Sequence, residues 1–210
     1  MNEFIEVPAT KMSLSKRRLV RGVGINDCNY LVTLKASGKV VARCPYYSVW
    51  RSMLTRCYDP KHHARTPTYT ECSVIKEWLT FSTFKSWMKR QNWAGRQLDK
   101  DILTPGNKIY GPIFCMFVPA RVNTLLNTRE KSRGNYPLGV SYHPTRRYQS
   151  NCRDINGDKQ IEYWDTEYQA QVAYSKVKIK LIIDIADGLS DSEDKRLKPA
   201  LINWCGAFEV

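Results

Sequence analysis

Stretches of helical period and stretches of alternating period follow one another along the chain, and the switches between them mark out its parts. Between Pro45 and Cys57, the residues Tyr46, Val49, Trp50, Met53, Leu54 and Cys57 recur at i, i+3, i+4, i+7, i+8 and i+11, with Arg51 and Arg56 off the stripe. This predicts an amphipathic helix laid on a core. A second helix is predicted over Val74 to Gln91, where Ile75, Trp78, Leu79, Phe81, Phe84, Trp87 and Met88 spread too widely for one wet face and imply burial between two layers. The polar, proline-bounded segment Asp59 to Pro67 between them reads as a loop. Upstream, Leu19 to Val41 alternates between glycines and predicts two or three short strands. Residues 1 to 18 hold no periodicity and read as an arm whose end, Lys16-Arg17-Arg18, suits a phosphate backbone or simply frays.

Downstream, Ile109-Tyr110 and Phe114 to Val118 are β-rich runs on either side of Gly111-Pro112, which predicts a hairpin; Val122, Leu125 and Leu126 then share one face of a short helix after Pro119. Thr128 to Tyr136 is short, polar and basic, a linker. From Pro137 three more β-rich runs appear, Leu138 to Tyr142, Arg147 to Arg153 and Gln160 to Trp164, the last two joined through the hairpin signal Asn156-Gly157. Asp165 or Thr166 then caps a helix carrying Tyr168, Val172, Ala173, Val177, Leu181, Ile182 and Ile185, which ends before Gly188. An acidic loop, Asp187 to Asp194, leads to an apolar tail with Leu197, Leu201, Ile202, Trp204 and Phe208 that folds onto a core or a partner chain. The fold class is α+β.

Charge changes the picture. The 210 residues carry 33 Lys/Arg against 20 Asp/Glu, a net +13, which makes a polyanion the first partner to consider. The excess is uneven: residues 1 to 135 hold 23 basic and 9 acidic side chains, residues 136 to 210 hold 10 and 11. No apolar run approaches the ~20 residues of a bilayer span. Acids in Met-Asn-Glu-Phe-Ile-Glu are also unlike a secretion signal, so a cytoplasmic protein with no membrane partner is expected. Seven scattered cysteines imply reduced thiols. Cys44, Cys57 and Cys72 lie near His62 and His63, but without a Cys-x-x-Cys pair structural zinc is not expected. Gly22-x-Gly24 is too short for a phosphate loop. Oligomeric state is not legible.

The densest chemistry lies in Leu98 to Asn127. Asp99 and Asp101 flank Lys100 and, two apart on a strand, would share a face; with Asn107 and Asn123 they offer oxygen ligands suited to Mg²⁺ or Mn²⁺. Leu98, Asp99, Lys100, Gly106, Asn107, Cys115, Phe117 and Asn123 resemble the HNH-type endonuclease relatives found in phage genomes, and Trp50, Met53, Arg56, Cys57, Val74, Trp78 and Phe81 extend the resemblance upstream. The resemblance implies a ββα-metal centre preceded by two helices, with Asp99, Lys100 and Asp101 as candidate catalytic residues. Lys100 stands where that family places its histidine base. If the centre cleaves DNA, Asp101 accepts the proton from water and Lys100 stabilises phosphate charge; if not, the same acids are turn and strand residues.

Gly139-Val140, Arg147-Tyr148, Arg153-Asp154, Trp164-Asp165-Thr166, Ala170 and Ala173-Tyr174 resemble an AP2 domain. That resemblance implies a three-stranded antiparallel sheet with one packed helix, reading bases in the major groove through Arg153, with Arg146, Arg147, Tyr142 and Gln160 beside it. Arg129, Lys131 and Arg133 in the linker suit a minor groove. The organisation implied is an N-terminal arm with short strands (1–44), an HNH-like domain (45–127), a basic linker (128–135), an AP2-like domain (136–187) and a tail (188–210). The function implied is sequence-preferring binding of double-stranded DNA by a protein derived from a phage homing endonuclease, with or without metal-dependent nicking, in the host cytoplasm. The alternative is a non-catalytic phage protein whose basic surface engages an acidic host protein.

Overall fold

The structure, a computed structural model, describes residues 4–126 and 135–210. The chain is of mixed α+β class and forms two compact units, Met1–Phe117 and Val118–Val210.

In the first unit the N-terminal segment is not a bare arm. Helix α1 (Lys11–Ser15) starts where the Thr10 side chain accepts the Ser13 N–H at 3.2 Å. Beyond it, Arg17 donates to the carbonyls of Asn26, Cys28 and Tyr30, so this cation pins a loop rather than facing a phosphate. Strands β1 (Thr33–Ala36) and β2 (Lys39–Arg43) form an antiparallel hairpin. Its two turn residues, Ser37 and Gly38, both lie at positive φ (51° and 77°), the backbone that matches the strand twist.

Helix α2 (Pro45–Tyr58) follows the predicted stripe and buries Trp50, Met53, Leu54 and Cys57. The expected loop after it contains helix α3 (Pro60–Arg65): the Asp59 carboxylate accepts the Lys61 N–H at 2.9 Å and Pro60 fills the first helical position. The single helix expected over Val74 to Gln91 is instead three pieces: strand β3 (Ser73–Val74), a 3₁₀ turn (Lys76–Leu79) and helix α4 (Phe81–Met88). The break has a partner. Ile25 donates to the Leu79 carbonyl (2.8 Å) and accepts from the Phe81 amide (2.9 Å), which holds Thr80 extended and takes backbone groups that a continuous helix would use. Around this joint Trp50, Trp78, Phe81, Phe84, Trp87 and Met88 form an aromatic core, tied by the Trp50 indole N–H to the Trp78 carbonyl at 2.7 Å.

The expected hairpin between Ile109-Tyr110 and Phe114 to Val118 does not form. Strand β5 (Ile109–Tyr110) runs parallel to β3, while β6 (Met116–Val118) pairs with β4 (Gln97–Asp99). Gly111 does turn the chain, but its carbonyl accepts from both Phe114 (3.1 Å) and Cys115 (2.9 Å), a helical-type turn that redirects the second run away from the first.

The second unit holds helix α5 (Ala120–Leu125), which the sequence pattern had grouped with the preceding residues. It also holds an antiparallel sheet of β7 (Val140–His143), β8 (Arg147–Arg153) and β9 (Lys159–Trp164) in order 7-8-9, with helix α6 (Glu167–Asp187) across one face. Of the two caps the pattern offered, Asp165 and Thr166, it is Thr166 that caps α6, in a reciprocal capping box with Gln169. The apolar tail forms helix α7 (Leu197–Cys205) against α6, burying Leu197 and Leu201. Among the described residues no helix is long and apolar enough to cross a membrane.

Candidate nucleic-acid interface and the Asp99 turn

Asp99 is the last residue of β4, and there the chain turns. Its Oδ1 accepts the N–H of Asp101 (2.8 Å) and of Ile102 (2.7 Å), so the alternation that would set Asp99 and Asp101 on one strand face ends before Asp101 is reached. Burial pushes the Asp99 carboxyl up from its ordinary range, against the pull of those two N–H bonds. Lys100 is buried, and its ammonium donates to Asp101 Oδ1 at 2.6 Å and to the Asn107 carbonyl at 2.5 Å. The Asn107 amide is spent on backbone: Nδ2 donates to the carbonyls of Lys100 (2.8 Å) and Ile109 (2.7 Å), and Oδ1 accepts from the Ile109 amide (3.2 Å). These four residues therefore close the 99–109 loop on itself.

A second cation stands beside this loop. The Arg56 guanidinium lies 5.1 Å from the Tyr110 ring centre and 6.0 Å from that of Tyr69, while Lys100 Nζ lies 6.0 and 5.9 Å from the same two rings. A hard divalent cation needs several oxygens converging with geometric freedom. Here Asp99 Oδ1, Asp101 Oδ1 and the Asn107 amide are already bonded, and Lys100 and Arg56 bring positive charge to the same cluster. Asn123 is carried on α5, in the other unit. In this arrangement Asp99 Oδ1 and Asn107 Oδ1 accept backbone N–H groups, Asp101 Oδ1 accepts from Lys100, and the Lys100 ammonium is a donor to both Asp101 and the Asn107 carbonyl. Among the described residues no group of three His, Cys, Asp or Glu side chains is placed to hold a metal. Of the residues weighed for zinc, His63 Nε2 lies 2.9 Å from the Arg56 carbonyl, Cys44 and Cys72 are buried, and burial pushes the Cys57 thiol up to about 12.

The sheet of the second unit has two unlike faces. Pairing of Val140 with Ser150, of Tyr148 with Trp164 and of Cys152 with Gln160 fixes which side chains share a face. Val140, Ser150 and Cys152 are buried on the α6 side, and the Trp164 indole donates to Ser150 Oγ at 3.0 Å on that same side. The register therefore puts Tyr142 (opposite Tyr148) and Gln160 (opposite Cys152) on the α6 side of the sheet, not with Arg153 as the sequence reading had them. Tyr142 stacks edge-on against Tyr148, and Gln160 donates to Asp154 Oδ2 at 3.0 Å.

The opposite, wet face carries Ser141, His143, Gln149, Asn151, Arg153, Lys159, Ile161 and Tyr163. At one end the Arg146 guanidinium lies 4.9 Å from the Tyr163 ring, against which His143 also packs edge-on at 5.5 Å. At the other end Arg153 is exposed and donates to the Gly157 carbonyl at 2.6 Å, held by the turn that Asp154 organises by accepting from Asn156 and Asp158. Arg147, at φ 66° directly after the β7–β8 turn, directs its guanidinium to Asp165 at 3.2 Å. Asn151, Lys159 and Tyr163 share this face with Arg153, as counting by twos from Arg153 through the Asn156-Gly157 hairpin gives.

Two of the motif residues quoted from this region, Gly139 and Tyr174, meet in space. Gly139 sits at φ 75°, and a Cβ there would collide with the Tyr174 ring of α6, so Gly139 and Tyr174 form one joint. Arg129, Lys131 and Arg133 lie outside the described residues, as does most of the linker that carries them. No protein family, no curated protein and no solved structure matches the chain.

Proposed function

We propose that the protein binds double-stranded DNA with sequence preference, as a phage HNH/AP2-type protein whose nuclease-like loop supports the fold and does not cleave. The observation that carries this reading is the wet sheet face, where Arg146, Arg153 and Lys159 are interleaved with Tyr163, Asn151 and Gln149 on one side of a rigid three-stranded sheet. Such a face combines phosphate-neutralising cations with the side chains that read base edges: Arg to guanine O6/N7, and Asn or Gln to adenine. The exposed apolar groups, Ile161 and Tyr163, suit the thymine methyl. Most of the positive excess lies in the first unit, with 19 Lys/Arg against 8 Asp/Glu, compared with 14 against 12 in the second. That division supports affinity from the first unit and preference from the second.

The test is selection of preferred duplexes from a random pool, followed by titration of a selected and a scrambled duplex. Arg153→Ala is expected to narrow the ratio of the two affinities, by about 1–3 kcal/mol for a lost bidentate base contact, while leaving the scrambled-duplex affinity nearly unchanged. An unchanged ratio would remove Arg153 from the reading role. Binding to DNA that is absent at physiological salt would favour an acidic protein partner instead.

A further inference from the structure

The β1–β2 hairpin of the first unit is a two-stranded ribbon with no third strand among the described residues. Its register gives it an inner and an outer face. Leu34 pairs with Ala42 on one side, both partly buried; Thr33, also partly buried, pairs with Arg43 and Lys35 with Val40 on the other, the outer face. The register shift between Leu34 and Lys35 leaves Val41 as the extra residue of a bulge. The outer face thus presents Lys35, Val40 and Arg43, all exposed, and Val40 and Val41 are 49% and 63% exposed. Thr33 to Arg43 contains Lys35, Lys39 and Arg43 and no acid. An exposed β-edge with apolar residues invites pairing or aggregation unless it is charged or covered. Here only one sign of charge is supplied.

We infer that this ribbon enters the major groove of duplex DNA as a contact separate from the sheet of the second unit, with Lys35 and Arg43 on the duplex. The inference rests on the duplex-binding reading above. The dimensions favour the major groove. Two strands ~4.8 Å apart with their side chains fill a groove ~12 Å wide and ~8.5 Å deep, and are too broad for a minor groove ~6 Å wide. From Thr33 to the turn the ribbon extends roughly 13 Å at ~3.3 Å per residue, enough to reach the groove floor. The tip, Ser37-Gly38, has small side chains and a left-handed backbone that lets it approach the bases closely.

The experiment uses the full chain and a labelled short duplex, with fluorescence anisotropy read over a series of salt concentrations. Lys35→Ala/Arg43→Ala is expected to bind roughly 10- to 30-fold more weakly at physiological salt and to flatten the log–log salt slope by roughly 2, the signature of two lost phosphate contacts. The charge-keeping pair Lys35→Arg/Arg43→Lys should retain both, and thermal melting of all variants should match wild type because the sites are exposed. Dimethyl sulfate, which methylates guanine N7 in the major groove, should show protection on a selected duplex at two sets of guanines, one lost in the double alanine variant and kept in Arg153→Ala, the other the reverse. If wild type binds duplex DNA while the double alanine variant keeps its affinity and slope, the ribbon assignment is overturned alone; loss of a self-association equilibrium in that variant, with DNA binding intact, would assign the ribbon to a second copy instead. If wild type does not bind duplex DNA, the reading on which the assignment rests falls with it.

Discussion

The Asp99 carboxylate ties down the loop that follows it. Its oxygen satisfies two backbone N–H groups, and burial raises its pKa, so the charged form is disfavoured in the folded state. An amide oxygen can accept the same two bonds without the charge. Asp99→Asn is therefore expected to melt at or above the wild-type temperature at pH 7, whereas Asp99→Ala, which strands two donors, should lose about 1–3 kcal/mol. Neither variant should differ from wild type in nicking supercoiled plasmid with Mg²⁺ or Mn²⁺, and metal-dependent nicking abolished by Asp99→Asn would restore the catalytic reading. Lys178 is a second buried ionisable residue, its ammonium donating to the Leu125 carbonyl at 2.5 Å and lying 5.6 Å from the Phe208 ring. Burial lowers its pKa. Folded protein then gives up this proton before the unfolded chain does, and between the lowered pKa and the ordinary 10.5 the unfolded state holds more protons. Stability attributable to Lys178 rises with pH across that window. Denaturant titrations should show wild type gaining on Lys178→Met as pH is raised from 7 toward 10; a gap independent of pH would mean that the charge is not penalised.

At the scale of elements, the joint between the start of β7 and α6 includes a close approach between a glycine with left-handed backbone and an aromatic ring. Gly139→Ala places a methyl group into Tyr174 and strains φ as well. A loss of roughly 3 kcal/mol or more is expected, read by chemical denaturation, and Tyr174→Ala in the same background should recover part of it. Recovery of none would indicate that backbone strain, not the ring, sets the cost. The elements legible in the sequence were those whose cause is local. The α2 stripe, the Thr166 cap and the Asn156-Gly157 turn each carry their instruction within a few residues. Helix α3 had a local signal too, Asp59-Pro60, hidden by its polar composition. What stayed hidden was non-local: β5 prefers Ser73-Val74 to its sequence neighbour, and Ile25 splits a helix more than fifty positions away. The candidate site divides the same way. Arg153 was recognisable from its motif, but its companions depended on strand register, and the bonding of Asp99, Lys100 and Asn107 depended on where β4 stops.

At the scale of the whole chain, charge and chemistry are divided rather than concentrated. The first unit carries the larger positive excess, the aromatic core and a cationic ribbon; the second carries the cation–aromatic sheet face and an acidic stretch, Asp187 to Asp194. Cations in the first unit are not interchangeable, because Arg17, Arg56 and Lys100 are bonded inward while Lys35 and Arg43 face outward. The bridge from Ile25 to Leu79 and Phe81 has a further consequence for a ribosome. Ile25 leaves the exit tunnel early, but its N–H and carbonyl meet Leu79 and Phe81 only once Phe81 has followed, so at ~5–20 residues per second those two groups wait several seconds for their partners. Residues 1 to 70 carry 12 Lys/Arg against 4 Asp/Glu, and that excess of one sign of charge keeps emerging chains apart while the bridge waits to close.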